Sequence, residues 1–259
     1  MTREQVYGRR PVHEALRGPR EVLELWATER AQKAESWLRD LDRPRVQTKL
    51  ERELSEAAGT RDHQGVLAWC TPYRYADGWE LAATDRPLLA CLDQVTDPQN
   101  LGAVIRSAEG AGATGVVLPA HGAATVTPAV CRASAGAVEH LPVAVVPNLA
   151  RYLGEVKRGD LWIFGAVGDG AKPMWESDLS GGVALVFGAE GKGLRPLVRR
   201  TCDELVSIPM AGKVESLNVS VAAALLLYEA ERQAAVAARP RSGPGEGVMG
   251  ESGGSPSGS

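Results

Sequence analysis

The segment GVALVFGAEGKGL, residues 182–194, joins an apolar run to a glycine-rich loop and indicates the class of fold. Its first half, GVALVFG, has no polar side chain, which is typical of a strand buried on both faces of a parallel sheet. A glycine loop after such a strand often binds a nucleotide phosphate. Here the spacing is G-x-x-G-x-G, unlike the common phosphate loops, and Glu190 would repel a phosphate. The loop therefore predicts either a plain turn or a ligand without a phosphate at this point.

Apolar strands alternate with helices on both sides of this segment, from Leu88 to residue 239. The predicted strands are LLACLDQV, GVVLPA, LPVAVV, LWIFGAV, GVALVFG and ELVSIPM. The last helix, LNVSVAAALLLYEAERQAAV, is apolar on most of its early turns, so it should pack against the sheet or a partner chain. This alternation predicts an α/β domain over residues 88–239, with helices on both faces of a mostly parallel sheet.

The first 75 residues carry shorter elements that predict a small mixed α/β domain. PVHEALRG and ERELSEAAG read as helices, a further helix runs through RAQKAESWLRDL, and EVLELWAT and GVLAWCTP read as strands. Residues 76–87 are predicted to be a linker to the larger domain. Residues 240–259 are rich in glycine, serine and proline, and they predict a disordered tail.

Composition narrows the class of protein. The chain has 259 residues and a formal net charge of −3, yet its first 75 residues are relatively basic, with arginines grouped in YGRRPVHEALRGPR. No apolar run is long enough to span a bilayer, so we expect no membrane association and a cytoplasmic location. The cysteines are scattered, which favours reduced core thiols and no metal site; they are Cys70, Cys91, Cys131 and Cys202.

Polar residues stand at three junctions where a predicted strand or loop of the sheet meets a helix. They are Asn100 and Arg106 after the first strand, Glu190 in the glycine loop, and Ser216 and Asn218 before the last helix. Each asparagine could be an ordinary helix cap. However, ligands of open parallel sheets bind at the carboxyl ends of the strands, where these loops can converge. The set contains no nucleophile–base pair, so it suits a site that positions a polar substrate beside a cofactor.

In order and spacing, the segments DPQNLGAVIRSAEGAG, FGAEGKGL and IPMAGKVESLNVSVAAALLLYE resemble the three signature motifs of the SpoU/TrmH family of RNA ribose 2′-O-methyltransferases, in the SPOUT superfamily. The resemblance implies a deep trefoil knot at the carboxyl end of the sheet. It implies S-adenosylmethionine as the methyl donor, a sulfonium cation that a nearby carboxylate tolerates. Main-chain cofactor contacts are implied at Gly188, Ile208, Met210 and Leu217, and catalytic positions at Asn100, Arg106, Glu190, Ser216 and Asn218.

The role of Arg106 has two interpretations. The resemblance implies that it acts as a base on the target 2′-hydroxyl, helped by a phosphate of the substrate. Because a guanidinium group rarely releases its proton, the alternative is that Arg106 clamps the phosphate and orients the hydroxyl. Either role predicts a large loss of activity for Arg106→Ala.

The front block resembles the L30e-like substrate-binding domain that some members of the family carry, with YGRRPVHEAL and HQGVLAW as its matching ends. This implies that residues 1–75 hold structured RNA, with Arg9 and Arg10 as candidate contacts. The catalytic domains of the family pair as homodimers, which offers the apolar last helix a partner.

The expected substrate is a guanosine of 23S ribosomal RNA. Another ribosomal nucleotide, including an adenosine whose methylation confers antibiotic resistance, and transfer RNA remain alternatives. A non-catalytic RNA-binding module is the alternative from another class. A nicotinamide-dependent oxidoreductase is disfavoured because DQVTDPQNLG lacks the G-x-G-x-x-G turn that this class needs after its first strand.

Overall fold

The structure is a computed structural model that describes residues 2–157, 160–168, 171–214 and 216–239. Within these residues the chain forms one four-stranded sheet and one seven-stranded sheet. The tail predicted over residues 240–259 lies outside the described residues. Among the described helices, none is both long and apolar enough to cross a bilayer.

The N-terminal unit is a mixed sheet with the strand order β1-β4-β2-β3. Its elements are β1 (Glu4–Tyr7), α1 (Arg9–Arg17), β2 (Val22–Ala27), α2 (Glu29–Ala34), α3 (Ser36–Asp40), β3 (Val46–Thr48), α4 (Glu51–Ala58) and β4 (Val66–Cys70). The single helix predicted through residues 30–41 is wrong. The chain is extended at Glu35, between α2 and α3, with φ −116° and ψ 110°. The Glu35 carboxylate there accepts hydrogen bonds from Arg9 and from the Trp37 indole.

The C-terminal unit confirms the predicted α/β fold. Its elements are α5 (Gly78–Ala82), β5 (Leu88–Asp93), α6 (Pro98–Gly110), β6 (Gly115–Pro119), α7 (Pro128–Ala133), β7 (Val143–Val146), α8 (Leu149–Val156), β8 (Leu161–Ala166), β9 (Lys172–Pro173), β10 (Gly182–Gly188), α9 (Pro196–Thr201), β11 (Glu204–Ser207) and α10 (Val219–Ala237). All six predicted strands form, in the order β7-β6-β5-β10-β8-β11-β9, and every pairing is parallel. The two-residue edge strand β9 was not predicted. The trefoil knot stays a prediction.

Both faces of the seven-stranded sheet are covered, as the near-continuous apolar strands predict. One hydrophobic core packs α6, α7 and α10 against one face, and a second core packs α8 and α9 against the other.

The segment predicted as a linker, residues 76–87, contains α5. Asp77 caps this helix by accepting the backbone N–H of Trp79 at 2.7 Å, and the Tyr152 hydroxyl donates to the Gly78 carbonyl at 2.7 Å. These bonds fasten the connection to α8.

The four cysteines are free thiols. Cys70, Cys91 and Cys131 are buried, and Cys202 is half-buried. Burial raises the pKa of Cys70 to about 12 and that of Cys131 to about 11, so both stay protonated at neutral pH. Their surroundings suit core packing rather than thiolate chemistry.

A buried ion pair joins the two units. The Arg20 guanidinium, with 5% of its side chain exposed, donates through Nε to Glu139 Oε2 at 2.9 Å and through Nη2 to Glu139 Oε1, while the Glu139 side chain is fully buried. Burial opposes the charged form of Arg20, but the hydrogen bond and the charge of Glu139 outweigh it, so the pKa of Arg20 is raised. The main hydrophobic core also runs from Val6 in β1 to Leu227 in α10. The N-terminal unit is therefore packed onto the larger one.

We expect Glu139→Gln to lower the free energy of unfolding by about 3 kcal/mol, because it leaves the buried Arg20 charge with only the longer, half-exposed contact to Glu4 at 3.4 Å. Urea unfolding of the full chain measures the change. The matched control is Glu231→Gln, which removes the partner of Arg86 in an exposed pair and should cost less than about 1 kcal/mol. Equal losses in the two variants would contradict the structural role of the buried pair.

Candidate active site

The carboxyl ends of β5 and β10 lie side by side and form one edge of the site. The two strands pair in parallel register from Leu88 and Val183 to Asp93 and Gly188. The loop after β5 begins α6, and the loop after β10 is the glycine-rich segment. Because parallel strands end at one edge of a sheet, both loops emerge at the same place.

Asp93 anchors the end of the glycine loop through Arg195. Its side chain is fully buried, and its carboxylate accepts the Arg195 backbone N–H at 2.8 Å and the Arg195 Nε–H at 2.7 Å. Arg195 directly precedes α9, so Asp93 fixes the exit of the loop. Neither Asp93 nor Arg195 was among the predicted site residues. The available signal was a carboxylate at the end of an otherwise apolar strand, a position that needs a partner when it is buried.

The glycine loop folds back on itself immediately after β10. The Gly193 N–H donates to the Ala189 carbonyl at 2.9 Å. A β-carbon on Gly188 would collide with the Gly193 backbone, so this turn has no room for a side chain. Gly191 and Gly193 adopt left-handed conformations, with φ of 73° and 65°. The loop is thus a tight turn that carries Glu190 outward.

Three predicted site residues meet in one hydrogen-bonded cluster, the Asn100–Glu190–Asn218 cluster. Glu190 Oε1 accepts Asn218 Nδ2 at 2.6 Å and Asn100 Nδ2 at 3.2 Å. Asn218 Nδ2 also donates to Asn100 Oδ1 at 2.9 Å. Asn100 is buried, whereas Glu190 and Asn218 are exposed, so the cluster lies at the protein surface.

The way in which α6 and α10 are capped leaves the side-chain amides of Asn100 and Asn218 free to bind Glu190. The cap of α6 is Asp97, which accepts the Gln99 N–H at 2.9 Å and leaves Asn100 free to point toward Glu190. Asn218 does cap α10, since its Oδ1 accepts the Ser220 N–H at 2.8 Å. Its Nδ2 is turned the other way, toward the cluster. One side chain therefore fixes the start of α10 and binds the glycine loop.

The other predicted site residues lie outside this cluster. Ser216 and Met210 are exposed, Leu217 is half-buried, and Ile208 is half-buried against the main core. Gly188 ends β10, one residue from the loop. Arg106 is exposed, six residues beyond Asn100 on α6, about 9 Å along the axis and about 120° around it.

Arg106 faces a different cavity, the arginine cleft, between the N-terminal unit and α6. Two adjoining cavities of about 710 and 580 Å³ form it, and both are lined by Arg9, Arg10, Glu35, Arg106 and Ala135. Arg9 donates to the Gln64 carbonyl and to Glu35 Oε1, each at 3.2 Å, so it also holds the N-terminal unit together. Arg10 is exposed and makes no hydrogen bond or ion pair with the described residues.

Two carboxamides and one carboxylate give the cluster hydrogen-bonding capacity and a negative charge. Such a set orients polar groups and tolerates a cation, and it offers no nucleophile for covalent chemistry. A positively charged cofactor fits this donor set better than a phosphate does. The described residues contain no group of histidine, cysteine, aspartate and glutamate side chains that could hold a metal ion.

Comparison with known proteins agrees with this geometry. Residues 87–228 match the model of the SpoU rRNA methylase family, and residues 5–76 match the model described as RNA 2′-O ribose methyltransferase substrate binding. The chain belongs to the SpoU rRNA methylase family. The 23S rRNA (guanosine-2′-O-)-methyltransferase RlmB of Pseudomonas syringae is 39% identical over 259 aligned residues, which cover 92% of this chain and 98% of that protein.

Two other relatives extend the comparison. An uncharacterized tRNA/rRNA methyltransferase of Synechocystis is 39% identical over 88% of this chain, and the match spans 62% of that longer protein. The crystal structure of the SpoU methyltransferase AviRb from Streptomyces viridochromogenes, in complex with the cofactor AdoMet, superimposes with a TM-score of 0.77. It is 28% identical, and the match covers 90% of this chain and 91% of AviRb.

We expect Gly188→Ala to destabilise the protein by about 1–3 kcal/mol, because the added methyl group displaces the Gly193 backbone and opens the turn. The matched control is Gly181→Ala, at the other end of β10, where a β-carbon meets no atom within 4 Å. Its effect should stay within about 0.5 kcal/mol. Chemical unfolding compares the two variants, and a Gly188→Ala protein as stable as the control would contradict the tight turn.

Proposed function

We propose that this chain transfers a methyl group from S-adenosylmethionine to a ribose 2′-hydroxyl of ribosomal RNA. The observation that carries the proposal is the Asn100–Glu190–Asn218 cluster, which joins residues of all three family motifs at the carboxyl edge of the parallel sheet. Membership of the SpoU rRNA methylase family gives the reaction type. In a non-catalytic RNA-binding module the cluster would only hold the glycine loop to the start of α10, and RNA would bind without methyl transfer.

The residues around the cluster suit S-adenosylmethionine. The backbone of Gly188, Ile208, Met210 and Leu217 would hold the adenosine part. When bound, the cofactor supplies a methyl group on a sulfonium, and the Glu190 carboxylate tolerates that positive charge. AviRb, which this chain resembles over nine-tenths of its length, was solved with AdoMet. S-adenosylmethionine has no phosphate group, so the negative charge of Glu190 does not prevent it from binding at the glycine loop.

In the reaction, a bond forms between the 2′-oxygen and the methyl carbon, the carbon–sulfur bond breaks, and the hydroxyl proton leaves. Glu190 is positioned to take this proton. Its Oε1 is held by the two amides, while its Oε2 has no hydrogen bond with the described residues. Ser216 stands beside the cluster in the chain, exposed and available to the ribose. The protein thus contributes mainly alignment and one proton acceptor.

We assign Arg106 to the phosphate rather than to proton removal. It is exposed in the arginine cleft and makes no ion pair with the described residues, so its charge is available to the RNA backbone. A protonated guanidinium donates up to five hydrogen bonds and cannot accept a proton. Clamping a phosphate next to the target ribose would orient the 2′-hydroxyl toward the cluster.

We propose a guanosine of 23S ribosomal RNA as the target, with residues 88–239 as the catalytic domain and residues 1–75 as the RNA-binding domain. The RlmB relative, which this chain matches over nearly its whole length, carries that substrate in its name. Mapping 2′-O-methylated nucleotides in ribosomal RNA from cells with and without the gene tests the target. Loss of a mark on an adenosine or in transfer RNA would replace the guanosine.

The chain is also proposed to form a homodimer through α10. This helix exposes an apolar stripe at i, i+4 and i+7, formed by Val221, Leu225 and Tyr228, which are 46%, 41% and 53% exposed. An exposed apolar face on a helix is typical of an interaction surface. Family membership favours a second copy as the partner.

For Arg106→Ala we expect kcat/KM for methyl transfer to fall by at least about 100-fold, because the target ribose is no longer held in line. Transfer of labelled methyl groups to unmodified ribosomal RNA measures the rate. Arg106→Lys keeps the charge and should recover part of the activity without changing the pH profile. Arg200→Ala, an exposed arginine of α9, is the matched control. Full activity of Arg106→Ala would contradict the clamp.

We expect Leu225→Glu to produce monomers, since it puts a charge into the apolar stripe of α10. Sedimentation equilibrium of the full chain reports the mass. Leu197→Glu, at an exposed leucine of α9, is the control and should leave the mass unchanged. A monomeric unsubstituted protein, or a dimeric Leu225→Glu variant, would rule out this interface.

A further inference from the structure

The arginine cleft adjoins the Asn100–Glu190–Asn218 cluster. Gln99, the residue before Asn100, lines the smaller of its two cavities. One wall is formed by α1 together with Trp37, and the opposite wall by α6 and the turn at Ala135. The larger cavity, about 710 Å³, is an open cleft with a volume in the usual range for ligand-binding sites. A segment of RNA lying in this cleft would therefore end beside the cluster.

Most charges that line the cleft already have partners in the protein. Arg9 binds Glu35 at 3.2 Å, Arg17 lies 3.6 Å from Glu14, and Arg132 donates to the Asp62 carbonyl at 3.0 Å. Arg10 and Arg106 remain, and neither guanidinium group makes an ion pair or hydrogen bond with the described residues. Two unpaired guanidinium groups suit phosphate oxygens.

The cleft does not offer a continuous positive surface. The carboxylates of Asp62 and Glu109 also line it, and neither has a cation partner among the described residues. A long duplex, with phosphates along its whole length, would meet these carboxylates. Phosphate contacts at only two arginines instead fit a short stretch of RNA backbone.

An aromatic pair lies in the same cleft. The rings of His13 and Trp37 pack against each other in a tilted arrangement, with centroids 4.8 Å apart and planes inclined by 34°. Glu35 holds this pair in place, because it accepts the Trp37 Nε1–H at 3.1 Å and pairs with Arg9. His13 is more than one-third exposed. Aromatic rings in a cationic groove stack with the bases of unpaired nucleic acid.

We propose that the arginine cleft binds an unpaired RNA segment that flanks the methylated nucleotide. Arg10 and Arg106 contact its phosphates, and one base stacks on the His13–Trp37 pair. A base inside a duplex is covered by its neighbours, so the segment must be unpaired to stack there. The proposal rests on the proposed function and specifies the form of its substrate: a loop, bulge or strand opened beside the target.

The test measures binding of the full chain to a short unpaired RNA oligonucleotide and to its duplex with the complementary strand, over a range of salt concentrations. We expect tighter binding to the unpaired RNA. Arg10→Ala should lower the slope of log K against log salt by about 0.7, the value for one phosphate contact to a single strand. Trp37→Leu should weaken binding about tenfold, and Trp37→Phe should restore it, since a ring is retained.

Matched controls lie outside the cleft: Arg45→Ala for the charge and Trp162→Leu for the aromatic ring. Both residues are exposed, and both substitutions should leave the RNA affinity and its salt dependence unchanged. If Trp37→Leu fails to fold, His13→Ala tests the same stack. In methyl transfer, Arg10→Ala and Trp37→Leu should raise KM for RNA about tenfold and leave kcat and the Kd for S-adenosylmethionine unchanged.

Two failures are distinguishable. If the unsubstituted protein transfers no methyl group to RNA, the proposed function is wrong, whatever the binding data show. If it does transfer methyl groups, but the cleft variants keep its RNA affinity and salt slope, the cleft proposal is overturned. Preference for the duplex overturns it as well.

Discussion

The parallel pairing of β5 with β10 determines where the polar groups of the C-terminal unit lie. The two strands run residue for residue and end together at Asp93 and Gly188. Asp93 is buried at this edge, and a buried carboxylate without partners is costly, so Arg195 must stay in contact with it. The loop between Gly188 and Arg195 is therefore tied at both ends, which keeps Glu190 within reach of the amides of Asn100 and Asn218.

One helix, α6, serves two parts of the molecule. Its first turn presents Asn100 to the Asn100–Glu190–Asn218 cluster, and Arg106, about 120° around the axis, faces the arginine cleft. The close approach of α7 to this helix depends on Gly102, where a β-carbon would lie 2.8 Å from the Ser134 nitrogen. This approach brings Arg132 and Ala135 to the cleft wall. In the proposed function, substrate alignment by Asn100 and RNA contact by Arg106 would be coupled through this one helix.

Much of the fold could be predicted from the sequence because its signals are local. Strands such as GVALVFG are apolar throughout, and the meeting of Asn100, Glu190 and Asn218 followed from their places at strand–helix junctions. The break at Glu35 could not be predicted, since residues 30–41 favour a helix and the break depends on Arg9, distant in sequence. Likewise, the engagement of Arg9 with Gln64 joins residues that are 55 positions apart. Long-range pairs of this kind have no periodic pattern in the sequence.

The buried Arg20–Glu139 pair bears on the proposed RNA recognition, although neither residue is a proposed RNA contact. Glu139 follows the turn at Ala135 that forms one wall of the arginine cleft, and Arg20 belongs to the unit that forms the other wall. Separating the walls would break the buried contact between Arg20 and Glu139 and leave Arg20 with only its 3.4 Å contact to Glu4, and breaking a buried pair costs several kcal/mol. The walls of the cleft are therefore held together without RNA, and RNA bound there as proposed would spend no binding energy on ordering them. In the proposed reaction, a preformed cleft would leave more of the contact energy for holding the ribose in line with the methyl donor.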